Sequence, residues 1–341
     1  MTARGTRIRA TLAAAALSLV VLGGLLFALD GYLHAHFEQM GGLNIRGYRG
    51  PLTARKQPGE RRIIVAGEST VFGYGVPWRD AIPAALERKL NALRHSQGHG
   101  PVSVVNVAQN REGAYGVNIT LRDYASLDYD VALIYTGVTD LEGNNTLAFR
   151  HQSAIFRLTG YLPILPVVFR EKAMALRHGG DLAAAYRGQG AVSAPAAARA
   201  AAAVLEGAAQ AADALDAQMG RIWPDPALDP APRSDTVRCP EPWGDYCDAL
   251  AAAVDYVLGQ GKQVVVVRSL PISSVHRQQQ RSMAAMLQSR FAAHPRLTIL
   301  NAEQALDLGD PALCYDGRHL TAAGHDRIAE LLVPQLNALL P

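Results

Sequence analysis

The fold of this chain is decided by residues 61–73, which read RRIIVAGESTVFG. The first seven are a short apolar run that ends in glycine, a pattern that predicts a buried strand. Similar apolar runs follow at 102–107, 129–135, 263–268 and about 297–300, and helical patterns separate them. Continuous apolar strands that alternate with helices predict a parallel sheet covered by helices on both faces.

A second informative segment, residues 316–321, reads DGRHLT and precedes a C-terminal helix that Thr321 is expected to cap. With Ser69 from the first segment, Asp316 and His319 complete the minimum set of side chains for nucleophilic acyl transfer. Their spacing of three residues allows one turn to deliver both the acid and the base. His325 falls inside the last helix, where we expect it to be structural.

The two segments resemble the sequence blocks of the SGNH/GDSL family of serine hydrolases, which read Gly-Asp-Ser near the N-terminus and Asp-x-x-His near the C-terminus. Glu68 stands at the position of the family's aspartate, and Val71 excludes the Gly-x-Ser-x-Gly elbow of α/β-hydrolases. The resemblance covers roughly residues 60–140 and 240–340. It implies a three-layer α/β/α, flavodoxin-like domain with a parallel sheet.

The resemblance also implies a role for each member of the set. Ser69 attacks an acyl carbonyl, His319 takes its proton, and Asp316 orients the imidazole. No cofactor and no metal ion is needed for this chemistry.

The donors of an oxyanion hole match the family less well. Besides the Ser69 N–H, the family uses a glycine of its second block, which Gly113 matches best, with Gly116 as the alternative. The family's third block, Gly-x-Asn-Asp, corresponds to residues 137–140, so that Thr139 replaces the asparagine.

A threonine hydroxyl can donate a hydrogen bond, but its rotor is not fixed as an amide is. Two downstream asparagines, Asn144 and Asn145, are alternative donors. A slow enzyme, or one selective for transfer, is a further reading of the Thr139 replacement.

The composition is that of a globular protein, with 341 residues, 49% hydrophobic residues and a net charge of only +3. No basic stripe interleaved with aromatic residues is present, so the sequence gives no support for binding of nucleic acid.

The N-terminus carries a candidate membrane anchor. Arg4, Arg7 and Arg9 precede an uncharged run from Ala10 to Leu29. Twenty helical residues span about 30 Å, the thickness of the hydrocarbon core of a bilayer. Basic residues before the run predict a cytoplasmic N-terminus, with everything after Asp30 on the far side. We expect an uncleaved anchor over 1–30, the alternative being a cleaved signal peptide.

The remaining chain divides into a juxtamembrane linker at 31–60 and the hydrolase domain at 61–341. The domain contains an insertion at about 146–236, in which an alanine-rich helix begins after Ser193 and ends near Met219. An apolar stretch at 155–169 is either part of the core or a face near the membrane.

Cys239 and Cys247 lie close together and could form a disulfide, which would leave Cys314 unpaired. Three reduced, buried thiols are the alternative. A zinc site is not expected, because no histidine pair lies at ligand spacing near the cysteines.

The sequence therefore predicts a single-pass protein of the inner membrane with a periplasmic ester hydrolase domain. Its partners would be a small-molecule, glycan or lipid ester and the membrane, with no nucleic acid. The same side chains would serve an O-acyltransferase that modifies an envelope or secreted polysaccharide. A membrane-tethered glycan-binding or assembly protein with weak catalysis is the non-enzymatic alternative.

Overall fold

The computed structural model describes residues 3–36, 40–141, 149–188, 194–222, 238–292 and 294–340. Asn144, Asn145 and Ser193, which the sequence analysis singled out, lie outside the described residues.

Five parallel strands form a single sheet in the order β2-β1-β3-β4-β5. The strands are β1 (Arg61–Gly67), β2 (Val102–Asn106), β3 (Val131–Tyr135), β4 (Gln263–Arg268) and β5 (Leu297–Asn301). The predicted parallel-sheet α/β fold is confirmed.

Twelve α-helices accompany the sheet in the described part of the chain. They are α1 (Ala3–His36), α2 (Ser69–Phe72), α3 (Ile82–Ser96), α4 (Ala114–Asp123), α5 (Val138–Leu141), α6 (Ala154–Thr159), α7 (Leu165–Arg177), α8 (Leu182–Tyr186), α9 (Ala196–Ile222), α10 (Gly244–Gly259), α11 (Ser274–Phe291) and α12 (Ala322–Ala338).

The helices form one layer on each face of the sheet. Alternate residues of β1 point to opposite faces, so Ile63 joins one buried cluster with α3 and α12, while Ile64 joins a second with α4, α10 and α11. Both clusters are almost fully buried, which accounts for the unbroken apolar runs of the strands.

Part of the segment expected to be a linker is packed into this body. Arg49 is buried, and its guanidinium donates hydrogen bonds of 2.5–2.7 Å to the carbonyls of Met40, Gly73 and Val76. Its backbone N–H bonds Asn106 O at the end of β2, at 2.9 Å. The polar, glycine-containing sequence does not indicate this contact, because it depends on a single arginine that donates to several carbonyls at once.

The segment between β3 and β4 is helical where the structure describes it. Its long alanine-rich helix, α9, runs from Ala196 to Ile222, a few residues beyond the predicted end at Met219. Further on, Cys239 and Cys247 form a disulfide and Cys314 is buried and free, as the first of the two alternatives predicted.

The N-terminal helix α1 continues past the predicted end of the span to His36. Its portion Thr11–His36 has a mean hydropathy of 2.5, and none of its most apolar window is buried. It is long and apolar enough to cross a membrane, a test that a signal sequence also passes.

Candidate active site

Ser69 lies at the carboxyl end of β1, as the first residue of α2. Gly67, just before it, has φ = +153°, and a Cβ there would lie 2.0 Å from the carbonyl oxygen of Tyr135. Only glycine therefore fits between β1 and β3, which explains the Gly-x-Ser pattern. The first N–H groups of a helix have no partner within it, so the Ser69 N–H is available to a ligand.

The structure brings Ser69, His319 and Asp316 together in one hydrogen-bonded chain. His319 Nε2 lies 3.1 Å from Ser69 Oγ, and His319 Nδ1 lies 2.6 Å from Asp316 Oδ2. Two segments that lie 250 residues apart in sequence thus meet at the carboxyl edge of the sheet. The arrangement can take a proton from the serine hydroxyl and stabilise the resulting imidazolium.

Backbone groups fix the carboxylate of Asp316. Its Oδ1 accepts hydrogen bonds from the N–H groups of Arg318 at 2.9 Å and His319 at 2.6 Å. Partial burial alone would raise the pKa of Asp316, but the bonds from the His319 ring and from these N–H groups outweigh it and lower the pKa. The carboxylate is therefore ionised at neutral pH and faces the imidazole as a full negative charge.

Glu68 is completely buried and connects two loops of the site. Its carboxylate accepts hydrogen bonds from the N–H groups of Val138 at 3.1 Å and Thr139 at 2.7 Å. Burial raises the pKa of Glu68 to about 7, against the opposing effect of these bonds. The side chain thus positions the start of α5 beside the Ser69 turn.

Thr139 presents a different group from the one that an asparagine would offer. Its backbone N–H is engaged by Glu68, and its buried hydroxyl also lies against the Glu68 carboxylate, where it opposes the rise in the pKa of that group. The hydroxyl is the one polar group of the Thr139 side chain.

Gly113 is the N-cap of α4, and Asp140 of the third block fixes the start of this helix. Asp140 Oδ1 accepts a hydrogen bond of 3.0 Å from the N–H of the next residue, Ala114. Burial raises the pKa of Asp140 to about 6, against the opposing effect of that bond. Gly116, the alternative donor, lies inside α4. Asp140 is a positioning residue that the sequence analysis passed over, although its third block contains it.

Two tyrosines contact the candidate base and a third packs behind one of them, and the sequence analysis missed all three. The ring of His319 lies near the rings of Tyr74 and Tyr315, with centroid distances of 4.8 and 5.9 Å. Tyr186 of α8 packs edge-on against Tyr74 at 5.3 Å. All three tyrosines are half-buried, so that ring surface remains exposed next to the base.

Tyr186 connects the segment between β3 and β4 to the site through its contact with Tyr74. Its hydroxyl donates a hydrogen bond of 2.8 Å to Glu171 of α7, a buried carboxylate that also binds the N–H groups of Met40 and Gly41. Burial raises the pKa of Glu171. Only the fold brings α8 to His319, and no pattern in the sequence around Tyr186 indicates it.

His325 is fully buried, and burial lowers its pKa to about 3. It is therefore neutral at physiological pH and belongs to the packing of α12, in line with its expected structural role.

Comparisons with known proteins give matches in structure only. No protein-family profile matches the chain, and no curated protein sequence does. Similar solved structures include a lipolytic protein of the G-D-S-L family from Desulfitobacterium hafniense, with 12% identity, a TM-score of 0.42 and coverage of 80% of this chain and 98% of that one.

Two carbohydrate esterases are also similar in structure. A family 3 carbohydrate esterase from Clostridium thermocellum has 11% identity and a TM-score of 0.41, over 83% of this chain and 100% of that one. An acetyl xylan esterase from Geobacillus stearothermophilus has 12% identity and a TM-score of 0.44, over 81% and 94% of the two chains. At these values the roles of individual residues rest on the geometry of this chain alone.

Proposed function

We propose that this chain is a serine ester hydrolase of the SGNH/GDSL type. The observation that carries the proposal is the hydrogen-bonded chain from Ser69 Oγ through both ring nitrogens of His319 to Asp316. The order of groups is that of a nucleophile, a general base and a residue that orients the base.

The reaction follows from these contacts in two steps. Ser69 Oγ attacks the acyl carbonyl while His319 Nε2 takes its proton, and the alcohol leaves with that proton from the imidazolium. Water then attacks the acyl-serine while His319 takes its proton, and the imidazolium returns that proton to Ser69 Oγ as the carboxylic acid is released. Asp316 stabilises the imidazolium in both steps without taking up a proton itself.

The oxyanion of each tetrahedral intermediate needs donors aimed at it. The N–H groups of Ser69 and Gly113 and the Thr139 hydroxyl are the proposed donors. The Thr139 hydroxyl is offered, and not its N–H, because Glu68 already accepts the N–H.

Labelling with a fluorophosphonate probe tests the nucleophile directly. The full-length protein should be labelled, and Ser69→Ala should abolish labelling and hydrolysis of nitrophenyl acetate. Ser96→Ala, which removes an exposed hydroxyl on α3, is the matched control and should leave both unchanged. Full labelling of Ser69→Ala would refute the assignment, and a wild-type protein that is neither labelled nor active would favour the glycan-binding alternative.

A second candidate function, transfer of the acyl group to a sugar hydroxyl, is favoured by Tyr74 and Tyr315 beside His319 and by Tyr186, which packs against Tyr74. Flat aromatic faces with a polar edge suit the apolar faces and hydroxyl rims of sugars. Tyr186 packs against Tyr74, which in turn contacts His319, so that its ring lies within one residue of the candidate base.

The two functions are separated by the fate of the acyl group. If Tyr186 holds an acceptor, Tyr186→Ala should lower acetyl transfer to an oligosaccharide by roughly tenfold while hydrolysis of nitrophenyl acetate persists. Tyr256→Ala, on α10, is a control for loss of a tyrosine elsewhere. Equal losses of transfer and hydrolysis in Tyr186→Ala would mean that the ring only supports the packing of the site.

We further propose that α1 stays in the membrane as an anchor and that the catalytic body lies outside the cytoplasm. The basic residues Arg4, Arg7 and Arg9 before the span support this orientation. The protein should resist extraction by carbonate, and a reporter fused after residue 341 should be active only outside the cytoplasm. Recovery of a soluble form without residues 1–29 would contradict the anchor.

A further inference from the structure

The large apolar residues that stay exposed outside α1 are concentrated in one region. Nine such residues are found in the described part of the chain, and five of them lie between residues 149 and 222. They are Leu158, Leu176, Val204, Leu215 and Ile222. Exposed apolar side chains that cluster mark a contact surface, whereas scattered ones do not.

Three of them form a stripe along α9. At 100° per residue, Val204, Leu215 and Ile222 lie within about 20° of each other on the helix circumference. Their exposed fractions are 73%, 64% and 61%. The charged residues of α9 all lie at least about 100° away from the stripe: Arg199, Glu206, Asp213, Asp216 and Arg221.

The charged side of α9 faces the protein. Asp213 and Glu206 form ion pairs with Arg170 and Arg177 of α7, and the buried residues of the helix are Ala202 and Ala209, on that same side. The amphipathic helix is thus turned with its apolar stripe outward. A soluble domain would normally point that stripe to its core.

The region that carries the stripe is attached to the end of the apolar helix α1. Asp30 accepts hydrogen bonds from Tyr161 Oη at 2.5 Å and from the N–H groups of Ile164 and Leu165 at 2.8 and 2.7 Å. Phe27 packs against the Tyr161 ring with a centroid distance of 5.1 Å. The N-terminus of α7 therefore lies where α1 leaves its apolar stretch.

The C-terminal half of α9 is attached to α6, the helix that precedes Tyr161. Asp216 Oδ1 accepts a hydrogen bond of 3.0 Å from the N–H of Ala154, the first residue of α6, and Leu158 of α6 is 56% exposed. The part of α9 that carries Leu215 is thus attached to α6, and it runs beside the first half of α7, where Asp213 pairs with Arg170. A tyrosine next to the end of a span is typical of the membrane–water boundary.

We propose that the apolar stripe of α9 rests on the bilayer surface beside α1, so that residues 149–222 form a membrane-docking face. The bilayer is the occupant favoured by the attachment to α1 and by the uncharged half of the helix. A second copy of the chain is a poorer fit. The heptad-spaced positions of the stripe include Ala208, Ala211 and Gln218. Their side chains are small or polar and would contribute little packing in a coiled coil with a second α9.

Site-specific labelling of the full-length protein in lipid vesicles tests this face. Val204→Cys, Leu215→Cys and Ile222→Cys would each carry a polarity-sensitive fluorophore, with Gln210→Cys, an exposed position on the other side of α9, as control. The parent protein gives the background, because Cys239 and Cys247 are bridged and Cys314 is buried.

The stripe positions should emit at shorter wavelength than the control and should be quenched by lipids with bromine near the upper part of the acyl chain. Circular dichroism of each variant checks that the fold is intact. Water-like emission at all four positions overturns the proposal. Blue-shifted emission without quenching, together with cross-linking between Leu215→Cys chains, also overturns it and indicates a second copy on the stripe. The measurement does not depend on catalysis, so it stands apart from the test of Ser69.

Discussion

Thr139 N donates a hydrogen bond of 2.7 Å to Glu68 Oε2, which ties the loop after β3 to the turn that carries Ser69. The Thr139 N–H is therefore used to hold these two loops of the site together. Its hydroxyl also interacts with the Glu68 carboxylate, so it would have to turn away from Glu68 to donate to an oxyanion. Holding Glu68 and donating to an oxyanion are thus competing uses of the Thr139 hydroxyl.

Thr139→Val removes that hydroxyl at nearly constant volume. Because the hydroxyl interacts with the buried Glu68 carboxylate, we expect the variant to be less stable by about 1 kcal/mol. If the hydroxyl donates to the oxyanion, kcat should fall by about tenfold or more, a part of what a good donor contributes. Thermal unfolding and the hydrolysis rate, measured on the same preparation, check both expectations.

The matched control for this change is Thr298→Val on β5, away from the site, which should leave kcat unaltered. A loss of stability with unchanged kcat would remove Thr139 from the oxyanion hole. The donor would then have to come from elsewhere, and the earlier alternatives Asn144 and Asn145 would be tested next.

The triad predicts strongly non-additive kinetics. Ser69→Ala and His319→Ala should each abolish most of the hydrolysis, and the double variant should be little worse than either, because the two residues act as a unit. Asp316→Asn should cost less than Ser69→Ala, though as much as about 10⁴-fold, since the aspartate only orients and stabilises the imidazole. Losses that multiply in the double variant would contradict a shared role.

The sequence predicted the elements of the sheet and the residues of this hydrogen-bonded chain because both depend on local patterns. Apolar runs identify buried strands, and the carboxyl ends of parallel strands meet at one edge. Ser69 and His319 were expected to meet because their two segments resemble the sequence blocks of the SGNH/GDSL family, although 250 residues separate them.

Glu68 predicts a pH dependence of stability. Burial raises its pKa from 4.5 to about 7, so between these values the folded state holds a proton that the unfolded state has lost. The free energy of unfolding should therefore fall as pH rises from about 4.5 to about 7, by roughly 3 kcal/mol at most. Glu68→Gln cannot titrate and should show a flatter profile over this range.

Denaturant unfolding of both proteins at several pH values measures this difference. The comparison is made within each protein across pH, because the amide group introduced by Glu68→Gln would lose one of the two backbone hydrogen bonds and lower stability at every pH. Parallel profiles for wild type and variant would show that folding does not shift the pKa of Glu68.

The contributions of Tyr186 and Arg49 were not predictable, for a different physical reason. Arg49 is buried because it binds carbonyls from two separate segments, and Tyr186 reaches Tyr74 because buried Glu171 holds its hydroxyl. Such contacts depend on the three-dimensional proximity of distant segments, and neither residue belongs to a periodic pattern. The sequence showed helices between β3 and β4 but gave no reason to connect them with the site.

Asp30 should control how firmly the region of α7 is attached to α1. Its carboxylate caps the start of α7 by accepting the N–H groups of Ile164 and Leu165. Asp30→Ala would leave both without a partner in a buried setting, at a cost of about 1–2 kcal/mol. We expect faster hydrogen exchange at the amides of the first turn of α7 and earlier proteolysis within residues 161–188, in protein held in membranes.

Asp30→Asn is the matched control, because its amide oxygen can still accept the two N–H groups while the negative charge is lost. It should exchange more slowly than Asp30→Ala and close to wild type. The membrane-docking face also predicts that Asp30→Ala loosens the contact of α9 with lipid, since the stripe is connected to α1 through α6 and α7. Unchanged exchange in Asp30→Ala would mean that the contacts between α1 and residues 161–165 do not persist in the membrane, and the docking of this region would then have to rest on α9 alone.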